Sequence, residues 1–297
     1  MRATERGFLL LTSPLGDPLR KPLTVAQFRT LAKRVQQMEK PTEQRDLSLA
    51  DLTALGYEQD FAYRLLHLLS QEDLLDHYLR RAATAGCVPI ARIGQDYPAV
   101  LREKLDPDSP ASLWSKGDLS ILAKPRIALV GSREIQQENR SFAWEVGTQA
   151  ALQGYALVSG NARGADKIAQ TACLRAGGQV IVVVADELEK QKQEKNVLYI
   201  SEDGFDLPFS AMRALSRNRV IHALAEKTFV AQCTCGSGGT WDGTIKNLNS
   251  GWSPVFCFAD GTPAVEQLSQ MGAEKIGIQQ LGDIQRLVSA HVSLFDQ

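Results

Sequence analysis

The sequence predicts an α/β fold: a doubly wound, mostly parallel sheet covered by helices on both faces, preceded by a small helical domain. Three observations predict it. Short apolar runs recur beyond residue 87, at "IALV" (127–130), "YALVS" (155–159), "VIVVV" (180–184), "TFVAQ" (228–232) and "PVFCF" (254–258). They do not alternate with polar residues, as expected of strands buried on both faces. Helical stretches such as "SFAWEVGTQAALQG" and "NRVIHALAEK" separate them, which is the βαβ pattern of a parallel sheet. Before residue 87 the apolar residues instead recur at three- and four-residue spacing, the period of amphipathic helices.

The elements follow in order. The opening "MRATERGFLLLTSPLG" carries an apolar stretch that reads as a buried segment rather than a signal peptide. "VAQFRTLAKRVQQM", "EQDFAYRLLHLL" and "EDLLDHYLRRAATAG" are helices by their spacing. Ser48, with Asp51 three residues on, caps a short helix that ends at Gly56. "EKPTEQRD" (39–46) reads as a loop. The texture turns β-branched at "VPIARI" (88–93), so the division falls between a helical domain over 1–86 and an α/β domain over 87–297.

Composition narrows the function. The chain of 297 residues has a formal net charge of −1, so polyanion binding requires a local patch rather than a general basic coat. No apolar run is long enough to cross a bilayer. Five cysteines, Cys87, Cys173, Cys233, Cys235 and Cys257, are scattered over apolar segments, which points to a reducing cytoplasm. The "CTC" at 233–235 lacks a second ligand pair at finger-like spacing, and the histidines His67, His77, His222 and His291 are dispersed. A metal site is therefore not expected.

The chemistry gathers in loops at the carboxyl ends of predicted strands, where such sheets bind ligands. "GSRE" follows the first strand and "SGNARGAD" (159–166) the second. "GSGGTWDGT" (236–244) comes after the fourth, and "LSRNRVIHAL" (215–224) opens the helix before it. Glycine admits close backbone approach, helix amino ends present unpaired N–H groups, and arginine offers a forked cation for phosphate. Any one such loop is an ordinary strand-to-helix connection; four on one edge suggest an anion site. The G-x-G-x-x-G fingerprint and the Walker A lysine loop are missing. Ser132 has no evident histidine base, and the loop acids Asp166, Glu202 and Asp242 show no acid/base pairing. Asp166 reads as a structural cap or the partner of an arginine.

From about 88 to 280 these motifs resemble the DprA/Smf family of DNA-processing proteins. The resemblance rests on "DYPAVLREKLDPDSPASLWSKGDLSIL", "IALVGSRE", "LVSGNARGADKIAQTACLRAGGQVIVVV", Asn196 with "ISEDG", "SRNRVIHAL", "GSGGT" and "GTPAVEQLSQMGAEKI", in that order. It implies an extended Rossmann-like domain behind a small SAM-like helical domain, and a non-enzymatic, cofactor-free binder of single-stranded DNA. The implied role is protecting incoming DNA and loading the RecA recombinase in transformation, as a cytoplasmic homodimer with no membrane association. The DNA-facing set carried over by motif is Gly131, Ser132, Arg133, Ser159, Gly160, Arg163, Gly164, Arg217, Asn218, Arg219, Ser237 and Gly238, with Asp166 and Thr240 beside them. Phe205, Phe209 and Trp241 are candidates to stack on bases, although packing is the commoner fate of such residues.

The chain also departs from the family. Gln170 stands where a histidine is usual, the charged run "ADELEKQKQEKN" reads as a solvated or mobile loop, and the Ser-Gly turn is extended. The family's C-terminal winged helix is expected to be absent, the sequence closing on "RLVSAHVSLFDQ". The alternatives are a nucleotide sensor or phosphoribohydrolase-like enzyme of the same superfamily, for which "GSGGTWDG" offers Asp242 at best, and an interaction scaffold.

Overall fold

Among the described residues, chain direction and helix placement both follow from one sheet of nine strands. A computed structural model describes residues 1–38 and 46–289; the connection expected over 39–46 falls outside these except for Asp46, and so does His291. In chain order the helices before the sheet are α1 (Ala3–Thr12), α2 (Val25–Gln36), α3 (Leu49–Ala54), α4 (Gln59–Leu69) and α5 (Glu72–Thr84). Then come β1 (Val88–Ala91), α6 (Ala99–Leu105), β2 (Ser112–Lys116), β3 (Arg126–Val130), α7 (Gln137–Leu152), β4 (Ala156–Ser159), α8 (Ala165–Arg175), β5 (Gln179–Val184) and β6 (Val197–Glu202). The chain continues through α9 (Ala211–Leu224), β7 (Lys227–Val230), α10 (Gly239–Ser250), β8 (Val255–Phe258), α11 (Pro263–Gln270) and β9 (Glu274–Ile276).

The strands lie in the order β1-β2-β6-β5-β4-β3-β7-β8-β9. From β6 to β9 all neighbours are parallel, while β1 and β2 add an antiparallel edge. The expected doubly wound, mostly parallel α/β fold is what forms. Each predicted strand is present, shifted by a residue or two. The sequence reading missed β2, β6 and β9. β2 and β6 carry buried serines and an acid (Ser112, Ser115, Ser201, Glu202) that hide the apolar run, and β9 has three residues.

Alternate strand residues feed two cores. Ile127 and Leu129 of β3, with Val180, Val182 and Val184 of β5, pack with α1, α5, α7 and α8 on one face. Ala128, Val130, Ile181 and Val183 pack with α6, α9, α10 and α11 on the other. Burial of such side chains contributes about 1.5–3 kcal/mol each, which is what fixes the layers. The opening segment is α1, with Phe8, Leu9 and Leu10 buried against the sheet. Leu23, Leu31, Leu52, Leu65 and Leu68 form a separate cluster from α2–α4 and the segment preceding α2. The apolar residues before residue 87 are thus divided between a cluster of their own and the sheet. Ser48 caps α3 as its spacing predicts, accepting a hydrogen bond from the Asp51 N–H.

The charged run 185–196 is pinned to the sheet. Leu188 is fully buried within it, and Lys116 donates to the Glu189 carbonyl at 2.9 Å.

Candidate nucleic-acid interface

The strand order reverses its winding between β3 and β7, the point where doubly wound sheets open a crevice at the strands' carboxyl ends. A cleft of about 710 Å³ lies there. Gly131, Ser132 and Arg133 after β3 form one wall, and Ser237, Gly238 and Thr240 before and in α10 form another. Arg217 and Asn218 of α9, and Ala162 and Asp166 around the start of α8, complete it. All four expected segments, the "SRNR" one included, therefore contribute residues to one site.

Hydrogen bonds hold the walls in register. The Ser132 N–H and hydroxyl both donate to the Gln232 carbonyl, at 2.9 and 3.2 Å. The Gln232 side chain accepts from the Gln136 N–H at 2.8 Å. Ser132 in turn accepts from the Ala165 N–H, which ties the first loop to the second. Gly164, with φ 82°, caps α8 in a conformation that favours glycine. Asn218 donates to the Gly239 carbonyl at 3.0 Å, fixing α9 to the turn that opens α10. The sequence reading does not single out Gln232; its signal is its place two residues beyond β7, which adjoins β3.

Arg217 is the centre of the charge. Among the described residues its Nε and Nη1, both buried, have no hydrogen-bond partner, and its guanidinium occupies the space that a Cβ at Gly160 would fill. Burial holds its pKa below the ordinary value while the Asp166 charge acts in the opposite sense. Asp166 is buried, accepts from the Ala162 N–H at 3.3 Å, and is pushed up to about 6 by burial against the pull of Arg217. This fits its reading as a cap and arginine partner. His222, on the cleft floor, is lowered to about 3 by burial and so stays neutral at physiological pH.

The predicted residues do not all converge. "SRNR" lies in mid-helix, because α9 begins at Ala211 behind the Ser210 cap. No helix amino end is available there, and its cations act through side chains alone. Arg219 points away from the cleft: it pairs with Glu202 at 2.7 Å and donates to the Asp108 carbonyl at 3.0 Å. Ser159 is fully buried, its hydroxyl accepting from the Gln170 amide at 2.7 Å, so it braces the turn rather than meeting a ligand. Gly160 is covered by Arg217. Arg163 is exposed on the crest of the second turn, and Gly164 faces a neighbouring groove. Among the aromatic candidates, Phe205 is buried against Tyr78 and Trp114 and Trp241 packs against the second core. Phe209, 58% exposed, stands on the cleft.

The family profile of DNA recombination-mediator protein A matches residues 89–246, more than half of the chain. The chain belongs to this family. It is 28% identical over 156 residues to the DNA processing protein DprA of Bacillus subtilis, covering 49% of this chain and 51% of that one. It is 31% identical over 141 residues to the Streptococcus pneumoniae protein of the same name, covering 44% and 50%. The alignments thus span about half the length of these relatives. In structure it is similar to S. pneumoniae DprA, with a TM-score of 0.71 at 23% identity over 95% of this chain and 97% of that one. A second similar structure, Helicobacter pylori DNA processing protein A, gives a TM-score of 0.55 at 23% identity over 65% of this chain and 93% of that one. The H. pylori work describes a single-stranded DNA binding mode of that protein. The matched segment runs from β1 into α10, so the family's shared part contains every wall of the cleft.

Proposed function

We propose that the protein binds single-stranded DNA in the cleft between β3 and β7, without a chemical step. The observation that carries this reading is Arg217, a desolvated cation with unmet donors at the head of a glycine-rich crevice. Such a group is costly to bury unless an anion completes it. Exposed Arg133 and the amino end of α10 extend the positive rim for further phosphates. The single-strand binding described for the H. pylori relative supports the same ligand here. On this reading the protein acts in the cytoplasm on DNA taken up in transformation, hands the strand to a RecA recombinase and works as a homodimer. Protein mass in solution with and without oligonucleotide tests the last point.

The test of the cleft is binding of labelled oligo(dT) against duplex and mononucleotides at several salt concentrations. Single strands are expected to win, with log affinity falling linearly against log salt. Tight mononucleotide binding without oligonucleotide affinity, or salt-independent binding, overturns the reading.

A pH dependence follows from Asp166. Its carboxyl, at about 6 in the free protein, rises further when a phosphate is bound beside it, so binding takes up a proton. Affinity should therefore increase as pH falls, roughly three- to tenfold between about pH 7.5 and about pH 5.5. Asp166→Asn should bind more tightly at neutral pH and lose most of this slope. Glu202, also near Arg217 and pushed up to about 7, supplies any remainder. An unchanged slope in Asp166→Asn removes Asp166 from the site.

A further inference from the structure

A second depression adjoins the cleft. It lies over α7 and α8, on the opposite face of the sheet from α9, and has a volume of about 670 Å³. The turn 162–164 separates the two: Ala162 walls the cleft while Gly164 lines the groove. Exposed Arg163 sits on this shared wall. Beyond it the groove is lined by Arg140, Trp144 and Lys167 among others, with Glu145 as its carboxylate.

Charge and aromatic placement identify what the groove takes. Arg133, Arg163, Arg140, Lys167 and Arg175 run from the cleft along the two helices, and among the described residues none pairs with a carboxylate. Lys167 donates to the neutral Gln170 side chain at 3.2 Å. Glu145 accepts from the Gln149 amide at 2.8 Å, and Glu134 and Glu138 remain exposed at the flank. Trp144 is 38% exposed, with the Arg175 guanidinium 5.4 Å from its ring centroid. It belongs to neither core cluster of the sheet. A part-exposed indole backed by arginine, in a groove lined by unpaired cations, is the arrangement used to stack bases while phosphates are neutralised.

We propose that a single strand leaving the cleft crosses Arg163 and Gly164 and continues in this groove, with a base stacked on Trp144 and phosphates at Arg140 and Lys167. This subsite rests on the cleft reading and extends it to the other face of the sheet. Site size then depends on both depressions, and strands too short to cross the wall use the cleft alone.

Fluorescence anisotropy tests this with an oligo(dT) of about six and one of about twenty nucleotides, each normal and abasic. Trp144→Ala should weaken the long normal strand roughly tenfold and leave the short strand and the long abasic strand unchanged. Arg140→Ala with Lys167→Ala, both at solvent-facing positions, should weaken the long strand and lower its salt slope by about two, again sparing the short one. Retained short-strand binding shows that the variants are folded. If both variants bind the long strand as the parent does while Arg133→Ala weakens both lengths, the groove is overturned and the cleft stands. Equal losses for short and long strands in either variant, or for normal and abasic long strands in Trp144→Ala, also overturn it. If Arg217→Ala weakens neither length, the cleft reading falls and the groove with it.

Discussion

Replacing Arg217 with alanine is expected to weaken single-strand binding about a hundredfold or more. Truncating one member of a buried, hydrogen-bonded charge pair typically costs about 2–5 kcal/mol, and a phosphate on Arg217 would be such a pair. The guanidinium is buried, two of its nitrogens lack partners among the described residues, and it lines the cleft. Its removal also takes away the pull that lowers Asp166, so that carboxyl rises further and holds its proton more tightly at neutral pH. Arg217→Lys restores the charge but not the fork, and should recover only part of the affinity. Arg133→Ala should cost less, about 1 kcal/mol or below, and flatten the salt slope by about one, because Arg133 is exposed. Anisotropy titrations of the three variants at two salt concentrations give the ranking. If Arg133→Ala proves the more damaging, the buried centre proposed for the cleft is wrong.

That ranking shows where the sequence stops being informative. "GSRE", "SGNARGAD", "SRNR" and "GSGGT" are legible as anion chemistry because their residue types and their places after strands are local facts. Their convergence depends on strand order: the loop after β3 meets the segment after β7 because those strands pair, about a hundred residues apart in sequence. Which arginine is buried is less legible still. Arg217 and Arg219 differ by two positions, which on a helix turns side chains about 200° apart, one into the cleft and one toward Glu202. The reading of "SRNR" as a helix start missed this because Ser210, the actual cap, precedes an unremarkable "AMRAL". Ser159 failed in a similar way: a serine in a Gly-rich turn reads as a donor, but Gln170 claims its hydroxyl. Gln170 itself is a departure from the family pattern, and its work is to hold that turn.

Arg219→Ala should therefore act on stability rather than on DNA. Its guanidinium meets Glu202 at 2.7 Å, with the two side chains 22% and 8% exposed, and also anchors α9 to the segment after α6 through the Asp108 carbonyl. Removing one partner of a buried ion pair costs about 3–5 kcal/mol because the other charge is left uncompensated, a large share of a typical domain's stability. Denaturant midpoints with an unchanged slope would show it. The pH dependence supplies the sign. Burial already pushes Glu202 up to about 7, well above its ordinary carboxylate range, so the folded state holds this proton more tightly than the unfolded chain. Its contribution to stability is fullest at low pH and is lost as pH rises toward 7. Without Arg219 the carboxyl rises further, so the variant's deficit should be largest above pH 7 and shrink as Glu202 is protonated. Adding Glu202→Gln should recover much of the loss, since the stranded charge goes with it. Single-strand affinity of the folded variant at low temperature should stay near that of the parent. A variant that melts like the parent yet loses salt-dependent binding would instead return Arg219 to the phosphate-facing set that the sequence motif implied.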